Sequence, residues 1–245
     1  MKHIFSIIIT MLAITCFADF PDGNELLKKV DKNLYSDNVI STYRMIISGR
    51  RAQKVMKIKN WTRGEVNSFS EYLSPPKDAG TKMLKLDDKL WIYDPGSDRT
   101  VQISGHMLRQ SVMGSDLSYE DFLEEHELTK MYNAEVVAEE IIFERDCWVL
   151  DLNAKMDDIA YYSRKIWIDK ERYLPLKEER FAKSGKLLKR SEIRDVFFQE
   201  ERWYPKHIFY KDMLSKGKGT ELFIDKIEFV DEIPDSRFTK AALRN

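Results

Sequence analysis

Beyond about residue 40 the apolar residues fall into runs with a period of two, separated by short polar turns. Candidate strands run over 42–48, 52–61, 65–73, 81–86, 89–94 and 99–103, then over 134–143, 147–153, 161–169, 174–182, 187–199, 203–214 and 220–230. From these, ten to twelve strands are expected. Pro75 and Pro76 remove ladder donors, so the sheet ends or turns there. Lys183-Ser184-Gly185-Lys186 is a strong hairpin signal, and Ser215-Lys216-Gly217-Lys218-Gly219 reads as a flexible hairpin tip.

Two stretches break the alternation. Over 25–34 the residues Leu26, Leu27, Val30 and Leu34 share one helical face with charges opposite, and Asn24 is expected to cap the helix. Over 105–130 a helix-like run containing Met107, Leu108, Val112 and Met113 lies between Gly105 and Gly114, which are placed to act as hinges. Ser118-Tyr119-Glu120-Asp121 then forms a capping-box-like pattern ahead of Phe122 and Leu123.

Strands joined by consecutive short turns imply an antiparallel meander, because parallel strands need long crossovers. A meander this large has an apolar face that must curl or be covered. The expected architecture is therefore one mainly β domain over 19–245, a single curved antiparallel sheet whose concave face is covered by helices. The insert 105–130 is the expected lid, and the gap beneath it the expected functional site. Phe238 and Leu243 are expected to pack the C-terminal tail onto the sheet.

The N-terminus reads as an address. Lys2 and His3 precede the apolar run 4–14, which has the length of a signal-peptide core and is short of the roughly 20 residues a membrane-spanning helix needs. Cys16 and Ala18 satisfy the small-residue rule for cleavage after Ala18, so 1–18 is expected to direct export; lipidation at Cys16 is the rival reading. Cleavage would leave Cys147 as the single cysteine of the mature chain, excluding an internal disulfide and reading as a small buried hydrophobe. A formal net charge of −1 argues against a nucleic-acid partner and against a polybasic membrane-surface patch, so recognition is expected to rest on apolar contact.

Catalytic and metal chemistry find no pattern to sit on. His106, His126 and His207 show no paired spacing, and Glu124-Glu125-His126-Glu127 reads as a solvated face rather than a ligand set. No nucleophile with a base stands out. Neither a catalytic residue, a metal nor a cofactor is expected.

Several motifs together resemble the outer-membrane lipoprotein-sorting protein family, the LolA-like exported carriers. They are Ser74-Pro75-Pro76 with Gly80-Thr81, Leu90-Trp91-Ile92-Tyr93-Asp94-Pro95, Met113-Gly114-Ser115-Asp116-Leu117-Ser118-Tyr119-Glu120-Asp121, Lys165-Ile166-Trp167-Ile168-Asp169, Trp203-Tyr204-Pro205, and Ile233-Pro234-Asp235-Ser236-Arg237-Phe238-Thr239. The resemblance implies a curved antiparallel half-barrel plugged by helices. It further implies a periplasmic, non-enzymatic carrier that shields acyl chains of lipoproteins or other lipids between envelope membranes. An inner-membrane transporter and an outer-membrane acceptor are the implied partners. A sensor or interaction protein that uses the same half-barrel to bind an envelope protein is the alternative. The expected cavity residues are Met45, Ile47, Met56, Ile58, Leu84 and Ile92 on strands, and Leu108, Val112, Met113 and Phe122 on the insert. Both faces of the 89–94 strand are apolar, and a one-residue slip exchanges the two sets. The family's arginine latch has Arg44 as its candidate. On this set Met56→Asp is expected to abolish lipid uptake by a folded protein.

Overall fold

The computed structural model describes residues 20–49, 52–124 and 127–244; the segment 1–18, with Cys16, lies outside them. Thirteen antiparallel strands form one sheet. The first six are β1 (Asn38–Ser48), β2 (Gln53–Arg63), β3 (Asn67–Ser74), β4 (Lys82–Leu86), β5 (Lys89–Asp94) and β6 (Arg99–Ile103). The rest are β7 (Tyr132–Ile142), β8 (Arg145–Ala154), β9 (Ser163–Asp169), β10 (Pro175–Phe181), β11 (Leu187–Gln199), β12 (Arg202–Asp212) and β13 (Thr220–Phe229). Each of the thirteen candidate runs forms its own strand, so the count exceeds the expected ten to twelve; even the five- and six-residue β4, β5 and β6 stay separate, as read from sequence.

The order across the sheet is β6-β5-β4-β3-β2-β1-β13-β12-β11-β10-β9-β8-β7. The chain therefore enters in the middle, meanders to one edge, and restarts at the opposite edge. Neighbouring strands are joined in sequence except at two places, the β1–β13 pairing and the step from β6 to β7. The insert must make that second step, and its route lies across one face of the sheet. Helical structure in it is short: a 3-10 turn Gly105–Arg109, then α2 (Tyr119–Leu123) and α3 (Leu128–Met131). The run expected to be helical to Met113 instead ends at Arg109. Met113 and Gly114 both adopt positive φ, 54° and 82°, and turn the chain back so that Val112 N–H donates to Leu117 O at 2.8 Å.

Curvature follows from what α2 touches. A five-residue helix is about 7.5 Å long. Phe122 packs against residues of β4 and β5, and Asp121 is held by Arg180 of β10. Eight steps separate β5 from β10, which would span about 38 Å in a flat sheet. The sheet curls around the insert as an open half-barrel.

The N-terminal helix α1 (Gly23–Leu34) covers the same inner face near β7–β9. Its cap is Asp22, whose carboxylate accepts the Asn24 and Glu25 N–H groups at 2.7 and 3.3 Å. Asn24, the expected cap, instead accepts the Ala134 N–H at 3.0 Å and ties the helix to β7. Gly23 makes that approach feasible, because a Cβ there would lie 2.5 Å from Ala134 O. Leu26, Leu27 and Val30 are buried against Tyr132, Leu150, Leu152 and Ile166, at about 1.5–3 kcal/mol for each large side chain. Leu34 ends the helix half-exposed.

The outer face carries its own cores. Trp61, Phe69, Leu84 and Trp91 pack beneath the tail residues Ile233, Phe238 and Leu243, so the tail docks through the two residues expected. Cys147, Val149, Trp167 and Leu174 form another, where burial pushes the Cys147 thiol up to about 11. No helix among the described residues is long and apolar enough to cross a membrane.

Candidate functional site

The inner face under the insert has two chemically different flanks. On the β1–β5 flank, Met45, Ile47, Met56, Ile58, Tyr72 and Leu117 form a buried cluster, with Tyr43, Met113, Phe122, Tyr210 and Leu222 packed around it. Farther out, Met83, Leu90 and Ile103 carry Ile92, Met107, Leu108, Tyr119, Phe122 and Leu123. Phe122 joins both groups. A hollow of about 210 Å3 opens here, bounded by Tyr43, Met45, Leu117, Phe122 and Leu222, and on its polar side by Asn60, Thr62, Ser68, Glu65 and Lys85.

On the β9–β11 flank the insert is held by charge. Asp121, the N3 residue of α2, accepts the Ser118 N–H at 2.7 Å and the Ser118 hydroxyl at 2.8 Å. The same carboxylate accepts Tyr161 Oη at 2.6 Å, Lys189 Nζ at 3.0 Å and Arg180 Nη1 at 3.2 Å. Arg180 Nη1 also reaches Glu124 at 3.2 Å, and its Nη2 donates to Glu178 at 3.0 Å. Arg164 completes the group, donating to Glu178 at 2.6 Å and to Glu124. Its side chain is 1% exposed and that of Asp121 5%.

Burial by itself would raise the Glu178 carboxyl, but Arg180 and Arg164 outweigh it and hold the group at about 2. Burial works on Asp121 in the same sense, and Arg180 and Lys189 again win, lowering it. Burial drives the Arg164 guanidinium down to about 10 against the pull of Glu178. These acids are therefore ionised counter-charges.

A second hollow, of about 260 Å3, adjoins this group. Val30, Leu34, Leu128, Ile166, Ile193 and Ile208 give it an apolar wall, and Arg164, Arg180, Glu178, Asp121 and Glu124 a charged end. Leu117, Asp121 and Tyr210 border both hollows, so the insert sits astride them. Asp116 anchors it between. Its carboxylate accepts the Thr220 hydroxyl at 2.8 Å and the Asp212 N–H at 2.9 Å, and its N–H donates to Thr220 at 2.9 Å. Asp31 of α1 holds the far end, accepting the Leu128 and Thr129 N–H groups at 3.2 and 3.1 Å.

Among the residues singled out from sequence, Met45, Ile47, Met56, Ile58, Met113 and Phe122 come together in one cluster, while Ile92 and Leu108 join the neighbouring one. Val112 is buried within the insert's own turn. Leu84 is corrected to the outer face. It pairs with Trp91 there, whereas Met83, paired with Ile92, points inward. Arg44 is corrected as well: it lies on the outer face, bound to Asp225 at 2.9 Å, and the ionic ties from the strands to the insert include those of Arg164, Arg180, Lys189 and Lys211. Glu124 faces these arginines rather than solvent; Glu125 and His126 lie outside the described residues. Met56 is fully buried, so Met56→Asp would place an unpartnered charge in the core and test stability before uptake.

Sequence reasoning missed Arg164, Glu178, Arg180 and Lys189. They sit at alternate positions of β9, β10 and β11, where lone charges ordinarily mark a wet face. The alternation along β9 carries one clue. Ile166 and Ile168 share a face with Arg164, and both are buried.

No curated protein matches the chain. Solved structures share its fold, three of them over nearly the whole chain. A domain from Vibrio parahaemolyticus named for outer-membrane lipoprotein sorting is 23% identical, covering 91% of this chain and 98% of its own, with a TM-score of 0.79. A DUF1329 family protein from Desulfovibrio piger is 22% identical over 90% and 97%, with a TM-score of 0.82. A LolA superfamily protein from Nitrosomonas europaea is 21% identical over 91% and 100%, with a TM-score of 0.75. A family model described as "-like: Uncharacterized protein" matches residues 64–245. The chain belongs to that family, and its half-barrel with an inner insert is the LolA-like fold.

Proposed function

We propose that the protein is an exported, non-enzymatic carrier that holds acyl chains of lipoproteins or other lipids between the insert and the inner face of the sheet. The observation that carries this reading is the pair of hollows astride Leu117 and Asp121, each with apolar walls. Neither reaches the roughly 300–1,000 Å3 usual for ligand pockets, so a fatty chain enters only if the insert moves. A ten-methylene stretch gains about 8 kcal/mol on leaving water, which sets the scale of opening that cargo can offset. Ionic closure suits this role. Opening returns the insert's Asp121 and Glu124 to water, and their hydration offsets part of the Coulomb energy lost with the contacts. The site's acids are locked on arginine and lysine, and the Cys147 thiol is buried on the outer side and held protonated, so neither is arranged for turnover.

Native mass spectrometry on protein purified gently from its own envelope tests this. Mass increments of bound acyl lipid are expected. A clean apo mass that persists after incubation with lipid micelles would overturn the carrier and favour the partner-binding alternative.

A further inference from the structure

The charged end of the larger hollow is assembled from two sources. Strands β9 and β10 line it with Arg164, Arg180 and one carboxylate, Glu178, the insert supplies Asp121 and Glu124, and Lys189 of β11 stands behind the lining, bound to Asp121. Lys189 has a further acid, Asp212, only at 4.0 Å. Within this cluster three cations against Glu178 leave two positive charges, and Asp121 and Glu124 cancel them; Asp31 of α1 also borders the hollow and is bound to the Leu128 and Thr129 N–H groups. When the insert moves for cargo, those two charges lose their counter-ions inside a low-dielectric trough. Something negative must replace them, or the open state is penalised.

A donor is already left over in the closed form. Arg164 is 3% exposed and lines the hollow, yet its Nε has no hydrogen-bond partner. Beside it stands the apolar wall of Val30, Ile166, Ile193 and Ile208. Cationic donors at one end and hydrocarbon along the rest make the outline of an anionic amphiphile. A phosphate monoester carries about −1.5 to −2 charge and three acceptor oxygens, which matches the two carboxylates withdrawn.

Resting on the carrier reading, we propose that Arg164, Arg180 and Lys189 form a head-group site for an amphiphile with an anionic phosphate, and that Asp121 and Glu124 occupy this site as internal competitors while it is empty. Cargo with a phosphate head then opens the insert by exchanging one set of anions for another. Cargo with the same chain and a neutral head lacks that exchange.

The test compares oleoyl lysophosphatidate with monooleoylglycerol, which share an acyl chain and differ by the phosphate. Binding is measured by calorimetry below micellar concentrations, on the full exported chain. The expected result is tighter binding of the phosphate ligand by about tenfold or more. Asp121→Asn with Glu124→Gln should tighten lysophosphatidate further, having removed the competitor, and Arg180→Gln should bring the ratio towards one. If Arg180→Gln fails to fold, the wild-type ratio and the isosteric insert variant decide. Equal affinities in the wild type would overturn the head-group site while leaving the carrier intact. Unchanged phosphate affinity in the insert variant would overturn the competition. Binding of neither ligand would overturn the carrier itself.

Discussion

Asp121 and Phe122 are neighbours in sequence and opposites in chemistry. Phe122 presses into the methionine-rich flank of β1–β5, while Asp121 accepts hydrogen bonds from a tyrosine, an arginine and a lysine of β9–β11 and the segment before them. One short helix is thus held on one side by contacts that scale with area and on the other by contacts that scale with charge. The first kind is non-directional, and adaptable methionines tolerate a change of occupant. The second is directional and all-or-none at each donor. A cover that must reseat after moving gains from both, since hydrocarbon tolerates displacement and the ion pairs restore the register.

The largest effect should come from breaking the ionic flank from the sheet side. Arg164→Met leaves Glu178 and Glu124 with Arg180 as their shared partner in a buried setting, an uncompensated negative charge that costs about 3–5 kcal/mol. For a chain of this size, thermal unfolding followed by circular dichroism should then show the midpoint fall by roughly 6–20 °C. A shift under one or two degrees would mean the pairs add nothing net.

Met56→Ala probes the apolar flank. A cavity in its fully buried cluster should cost about 2–4 kcal/mol, with little dependence on pH or salt. The same melting experiment at two salt concentrations separates it from the ionic variant.

Acid should loosen only the charged flank. Glu178 and Asp121 are held below their ordinary values, so the stability they contribute is full above about pH 4.5 and is lost as pH falls towards about 2. Amide exchange across α2 should accelerate over that window, and Glu178→Gln should flatten the acceleration. An identical profile in the variant would assign the acid response to other carboxylates.

Phe122→Ala removes the link between the two apolar clusters while leaving Asp121 in place. A loss of about 1–2 kcal/mol in local protection of the insert is expected, with the global melting point nearly unchanged. Smallest of all, Arg44→Ala removes an outer-face pair with Asp225 and a contact over the Phe223 ring, both near solvent, and should change stability by less than about 1 kcal/mol.

Alternation and turn chemistry were enough to place the strands. Those over 89–94, 99–103 and 187–199 end where the pattern ends, the capping box at Ser118 forms, and the tail docks through Phe238 and Leu243. These features depend on residues within a few positions of one another, so the local sequence carries them. Face assignment was legible only where one side was polar. Along Met83-Leu84 and Trp91-Ile92 both sides are apolar, because an inner cluster and an outer one compete for the same strands, and the pattern cannot say which is which. The ionic flank lay beyond reach altogether. Its contacts join residues 40, 59 and 68 positions apart, and each member in isolation looks like a solvent-facing charge on a strand. Only the route of the insert from one edge of the sheet to the other brings the acids of α2 onto the cations of β9–β11. Burial then turns ordinary surface residues into the grip that closes the site.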